Sequence, residues 1–244
     1  MNGRDFRALK YLMLLTGCKT LRIGPIDIEF LLVILPVLLK GALITIELTV
    51  LAIFFGTIIG LFVALMKISR FKILAAIGSF YTWVIRGIPL LVQLFILYYG
   101  LAQYLDIQLS PKAAAILGLS ICGGAYIAEI IRAGIQSIDK GQMEAALSLG
   151  MSYAQAMRRV ILPQAYRRLL PPMGNEFIAL MKDTSLVSVI TMVELMRSGI
   201  LLNTTYFRSM EIYLTVGVIY LIMTTFFICI INRLEKRLAI SDGE

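Results

Sequence analysis

The residues able to do chemistry in this chain are ionisable side chains set within apolar runs: Glu47, Glu129 with Arg132, Glu176, and Lys182-Asp183. Inside a bilayer each costs about 2.5–3.5 kcal/mol on insertion scales, so each is a functional candidate unless it pairs or reaches water. The chain has no His, and its three cysteines, Cys18, Cys122 and Cys229, lie far apart without a CxxC spacing. That argues against a zinc site, structural disulfides and a nucleophile with its base. Set in a span, such ionisable residues can meet a charged substrate or neutralise one another within the bundle. At 100° per residue Glu176 and Asp183 share one helix face, and Asn175 and Lys182 share another, so a zwitterion would meet both signs there. A substrate role is expected for Asn175 and Glu176. Lys182 and Asp183 either join it or neutralise Glu176 within the bundle; Glu47 either meets substrate or simply reaches water. Glu129 and Arg132, three residues apart, read as a structural ion pair.

Positioning these groups is the work of membrane helices. Of 244 residues 59% are hydrophobic and 16% charged, and the mean hydropathy is +0.86, far toward the membrane class. Apolar windows, of which 87–105 and 212–232 hold no charge, place spans at about 42–66, 87–105, 113–133, 169–196 and 212–232, which makes an all-α integral membrane bundle of five spans. Phe30 to Leu39, short and containing Pro36, reads as an interfacial segment. The run from Ile73 to Ile85 reads as an interfacial helix that kinks at Ile88-Pro89 before the second span, because the residue before proline avoids the helical region. The fourth span reads as broken by Pro171 and Pro172 and interrupted again at Lys182-Asp183-Thr184-Ser185, an arrangement transporters use to present polar groups at membrane depth. Gly56 and Gly60 form a GxxxG pair, and Gly123-Gly124-Ala125 lies in the third span. Both allow close helix packing, within one chain or between two.

The net charge of +8 comes from short Lys/Arg clusters between apolar runs and not from one basic face, which suits topology and excludes nucleic acid as the partner. Lys67 to Lys72, Lys140 to Arg168 and Arg233 to Arg237 mark the cytoplasmic side, so the N-terminus is expected outside and the C-terminus inside. Residues 1–25 read as a disordered basic extension, and residues 239–244 as a tail. Leu15-Thr16-Gly17-Cys18 looks like a lipoprotein cleavage box, but the apolar run before it is too short for a signal peptide.

Between the third and fourth spans, residues 139–165 read as a compact helical hairpin. Asp139 with Gln142 forms a start signal, Gly150 a left-handed stop and Ser152 with Gln155 a second capping box, and the second helix is expected to end before Pro163. Ala145, Ala146 and Leu149 make a small apolar face suited to a groove in a partner, or to packing under the chain's own bundle. In this stretch Glu144-Ala145-Ala146, Gly150 and Val160-Ile161-Leu162-Pro163 resemble the EAA loop of binding-protein-dependent ABC importer permeases. The segments Arg86-Gly87-Ile88-Pro89-Leu90-Leu91-Val92-Gln93, Ala125 to Arg132 and Leu170 to Phe177 are similar to the polar amino-acid subfamily, with Ile88 where Thr is commoner. The resemblance runs from about residue 28 to 238.

The resemblance implies a type I importer permease bundle in the bacterial inner membrane. It implies a coupling helix that rests on a dimer of cytoplasmic ATP-binding cassette subunits. Glu144, Ala145, Ala146, Leu149, Gly150, Arg158 and Pro163 are the expected coupling residues, with Arg158 and Arg159 facing either the ATPase or lipid headgroups. No GxxxxGK[ST] loop occurs in the chain, so ATP and Mg belong to the partner and the permease itself is not an enzyme. The resemblance further implies a second permease subunit, an extracellular binding protein and a polar amino acid as cargo. The acidic lining favours arginine, lysine or histidine, and glutamine and cystine stay open. A channel or ATP-independent carrier would use similar broken helices but has no use for an EAA loop.

Overall fold

The computed structural model describes residues 22–23 and 26–239; all but those few of the expected N-terminal extension, and residues 240–244 of the tail, lie outside the described residues. Two residues on each side, β1 (Arg22–Ile23) and β2 (Ile26–Asp27), pair antiparallel. Everything after them is helical or a short connection. The helices are α1 (Ile28–Ile68), α2 (Lys72–Gly87), α3 (Leu90–Leu105), α4 (Pro111–Gln136), α5 (Lys140–Ser148), α6 (Tyr153–Ile190), α7 (Leu195–Tyr206) and α8 (Ser209–Ala239).

Helices α1, α4 and α8 are each long and apolar enough to cross a bilayer, and the bent pairs α2–α3 and α6–α7 bring the number of crossings to as many as five. The pair α2–α3 turns by 100° at Ile88-Pro89, where proline has no amide to continue the ladder. The side-chain amide of Gln93 donates to Ile85 O and Ile88 O, each at 2.8 Å. Two carbonyls orphaned by the break are thereby satisfied, and the corner is pinned.

Three expectations about helix ends are corrected. The stretch Phe30 to Leu39 is not a separate interfacial segment, because α1 runs unbroken through Pro36 for 41 residues, a length of about 60 Å. Phe30, Ile34, Leu38 and Ala42 recur every fourth residue and are buried against α7 and α8, and this stripe holds the helix past a proline that sits on its exposed side. The second helix of the hairpin does not stop before Pro163. A π turn over Met157–Ile161 precedes it, and by shifting the bonding register it absorbs the missing donor. Pro171 and Pro172 likewise leave the helix continuous over Leu162–Asp183. Proline's fixed φ is itself helical, so the cost lies in the lost hydrogen bonds and in the ring's clash with the carbonyl one turn earlier, and packing of α6 against α1, α4 and α8 offsets it. The change comes later: Thr184–Ile190 tightens to a 3₁₀ helix and the chain then bends by 47° into α7.

The glycines are used inside the chain. A Cβ on Gly60 would stand 2.7 Å from Ile127 Cγ2 and 3.0 Å from Gly124 O, so α1 and α4 approach backbone to backbone. At Gly41 the neighbour is α7, with Leu195 Cα 2.9 Å from such a Cβ. At the chain's outset Asp27 caps α1 by accepting from Phe30 N at 3.3 Å and pairs with Arg208 at 3.2 Å. Arg208 also pairs with Glu211 and lies 4.1 Å over the Phe30 ring. This clasp ties the starts of α1 and α8 together. Burial alone would raise the Asp27 pKa, but the Phe30 amide and the Arg208 guanidinium outweigh it and hold the carboxyl below its ordinary value.

Candidate functional site

Helices far apart in sequence meet around one cavity of about 580 Å³, lined by Arg86, Tyr126, Glu176, Asp183, Cys122 and the backbone corner 87–90. Glu176 and Asp183, seven residues apart on α6, reach it from one face, two turns of helix apart. Arg86 comes from the last turn of α2, just before the pinned corner, and its guanidinium carbon lies 5.1 Å over the ring of Tyr126 on α4. The arrangement brings two carboxylates and a guanidinium to one polar cleft, which suits a small molecule carrying both signs of charge.

The other expected residues are distributed differently. Asn175 and Lys182 are exposed, outside the residues that line the cavity. Glu47 lies elsewhere, paired at 2.6 Å with Lys112 in the first turn of α4. Glu129 pairs with Arg132 at 2.8 Å and also with Lys67 of α1, whose ammonium donates to Thr82 of α2 at 2.7 Å. Three helices are bound by that network. Among the described residues no group of His, Cys, Asp and Glu could hold a metal ion.

A second polar centre went unread in the sequence. Glu194, fully buried, caps α7 by accepting from Met196 N and Arg197 N at 2.8 and 2.7 Å. It also accepts from the hydroxyls of Tyr220 at 3.0 Å and Thr45 at 3.3 Å. The signal available was an acidic residue immediately before a helical run; it was hidden because residues 169–196 were read as one span. Arg86, Tyr126 and Gln93 were likewise legible only as family motif residues.

The hairpin is built largely as its punctuation implies. Asp139 accepts from Gly141 N at 2.6 Å, Gly150 has φ +81°, and Ser152 and Gln155 exchange both bonds of a capping box, at 3.3 and 2.9 Å. Gln142, however, does not close a box on Asp139; its side chain accepts from Gln164 at 3.4 Å. The expected apolar face divides. Ala146 is buried, whereas Ala145 and Leu149 are exposed, Leu149 at 81%. Glu144, Arg158 and Pro163 are exposed too. Beneath the hairpin Ile138, Ile161 and Ala165, with Met143 and Met157 against them, form a small core that fixes α5 to the start of α6. An exposed, rigid helix with one anchoring face is a shape that can transmit a push.

A family profile described as binding-protein-dependent transport system inner membrane component matches residues 56–240. The chain belongs to this family. Relatives include the arginine transport system permease protein ArtQ of Bacillus subtilis, 38% identical over 85% of this chain and 95% of its own length. The glutamine transport system permease protein GlnP of Escherichia coli is 41% identical over 84% of this chain and 94% of its own. A crystal structure of an amino acid ABC transporter with histidines superposes with a TM-score of 0.84 at 42% identity, covering 88% of this chain and 100% of that one. The inward-facing MetNI methionine ABC transporter, at 19% identity and a TM-score of 0.70, shares the fold.

As a member, the chain is the permease subunit of an amino-acid ABC importer, a multi-pass inner-membrane protein that translocates substrate and does not itself hydrolyse ATP. Its family works with an ATPase, a substrate-binding protein and a second permease.

Proposed function

We propose that this permease carries basic L-amino acids, and that Glu176 and Asp183 form the part of its path that meets their cationic groups. The observation that supports this most is the pairing of two carboxylates in one cavity with a single guanidinium and no lysine among its lining residues. A carboxylate in a cleft shielded from solvent attracts a cation more strongly than an exposed one does. The arginine permease relative is in keeping with this reading. Import of glutamine is a second reading, favoured by the 41% identical glutamine permease.

In this proposal Glu144 to Gly150 is the coupling helix. Exposed Leu149 and Ala145 enter a groove on the ATPase, while buried Ala146 and the core below pass its movement to α6. The basic clusters at 67–72, 140–168 and 233–237 face the cytoplasm, with the N-terminus outside. Asn175, Lys182 and the Glu47–Lys112 pair stand off the cavity and act on the approach to it.

Uptake by the whole importer in proteoliposomes tests the cargo. Glu176→Gln keeps the shape and removes the charge; arginine and lysine uptake is expected to fall about tenfold or more, equivalent to roughly 1.4 kcal/mol, with basal ATP turnover retained. Unchanged arginine uptake, or an equal loss for arginine and glutamine, removes the cationic preference.

A further inference from the structure

We infer that Arg86 is a specificity-determining residue that reads the α-carboxylate of the transported amino acid, with Tyr126 holding its guanidinium in place. The inference rests on the cavity proposed above as the substrate path.

The position of Arg86 is imposed by the backbone. It sits in the last turn of α2, one residue before Gly87 and three before Pro89, at a corner whose carbonyls are fixed by Gln93. Side chains leaving a pinned corner are aimed more narrowly than those on a free loop. The guanidinium lies over the face of Tyr126, 5.1 Å from the ring centroid, and stacking of this kind engages the plane of the group and leaves its edge of N–H donors available.

Among the described residues that edge closes on no carboxylate. Arg132 closes on Glu129 and Arg208 closes on Asp27 and Glu211. Arg86 closes no ion pair among the described residues, although Glu176 and Asp183 line the same cavity and its charge acts on Glu176. Two acids and one guanidinium in one cleft that do not join each other are the complement of a ligand with two cations and one anion. A basic amino acid has that pattern: an α-ammonium, a charged side chain and a carboxylate. The planar fork of an arginine matches the two oxygens of a carboxylate, whereas the acids take the two cations.

If Arg86 were merely structural, as a cation at a helix C-terminus, its loss would weaken the protein without changing which ligands it prefers. The two roles separate with a pair of probes: arginine, and agmatine, which is arginine without its carboxylate. Binding of each is measured on the purified permease–ATPase complex in nanodiscs, alongside thermal melting. Wild type is expected to prefer arginine. In Arg86→Gln, arginine affinity falls about tenfold or more while agmatine binding stays within about twofold, so the preference collapses, a difference of roughly 1.4 kcal/mol. Arg86→Lys, which keeps the charge and loses the fork, gives an intermediate ratio and serves if the Gln variant does not fold. An unchanged arginine-to-agmatine ratio in both variants overturns the assignment.

Failure of the cargo proposal looks different. Glu176→Gln should weaken arginine and agmatine together; if it changes neither while Arg86→Gln still collapses the ratio, the cationic preference falls and the carboxylate reader stands. Where wild type binds neither probe, glutamine against its decarboxylated amine poses the same question for Arg86.

Discussion

Glu129 and Glu176 are both carboxylates on apolar bundle helices, and the protein treats them in opposite ways. Glu129 is closed: Lys67 and Arg132 both reach it, Thr82 stands behind Lys67, and helices α1, α2 and α4 are joined through the contact. Glu176 is open: it shares a cavity with another acid and with Arg86, whose charges act on it, and among the described residues it closes an ion pair with neither. Glu194 lies between these extremes, buried and held wholly by neutral donors. A charge satisfied within the chain lowers the energy of one arrangement of helices and so belongs to the fold. A charge left unsatisfied in a cleft costs stability and recovers it only when a ligand arrives, and so belongs to transport.

Breaking the closed site should cost the most. Glu129→Gln leaves Lys67 and Arg132 uncompensated, and a stability loss of about 3–5 kcal/mol is expected, read as a large drop in the melting temperature of the purified complex. The relative uptake of different amino acids should not move. If the variant melts like wild type, or alters selectivity, the contrast between the two carboxylates is wrong.

A smaller effect is expected at the α1–α4 seam, across which Lys67 reaches Glu129. Gly60→Ala forces a methyl against Ile127 and the Gly124 carbonyl, with an expected cost of about 1–3 kcal/mol for overpacking. Melting should fall, and the effect should be non-additive with Glu129→Gln because both act on the α1–α4 seam.

The smallest effect belongs to the Asp27–Arg208 clasp, which is closed like Glu129 but ties only the first turns of two helices, and in which Arg208 keeps Glu211 as a partner when Asp27 is lost. Asp27 has its carboxyl held below its ordinary value, so the stability it contributes is present above the usual carboxylate range and is lost as pH falls below that range. Asp27→Asn should remove this acid-sensitive part of the melting profile and cost about 1 kcal/mol or less at neutral pH. An acid profile that Asp27→Asn leaves unchanged assigns the sensitivity elsewhere.

The local rules were most dependable where a residue has a conformation nothing else can override. Gly150 is left-handed, Ser152 and Gln155 cap each other, and Ile88-Pro89 turns the chain by 100°. They failed where packing outweighs the cost of a proline, at Pro36, Pro171 and Pro172, and where a π turn absorbs it, at Pro163. A proline's preference is worth about 3 kcal/mol, a cost that the close packing of a stripe such as Phe30, Ile34 and Leu38 against α7 and α8 offsets.

By itself, then, the sequence determined the membrane class, the helical hairpin with its caps, the family motif and the face shared by Glu176 and Asp183, because composition, capping and helical period act over a few residues. Only the tertiary structure decided that Glu47 pairs with Lys112, that Lys67 joins Glu129, that Glu194 caps a separate helix, and that Arg86 and Tyr126 stand at the cavity with the two acids. Those partners lie tens of residues apart along the chain, except at Glu194, whose capped amides are two and three residues away and whose helix start is masked by the apolar run around it. The spacing of Glu129 and Arg132 already marks one closed charge, whereas the open one at Glu176 depends on how α2, α4 and α6 come together.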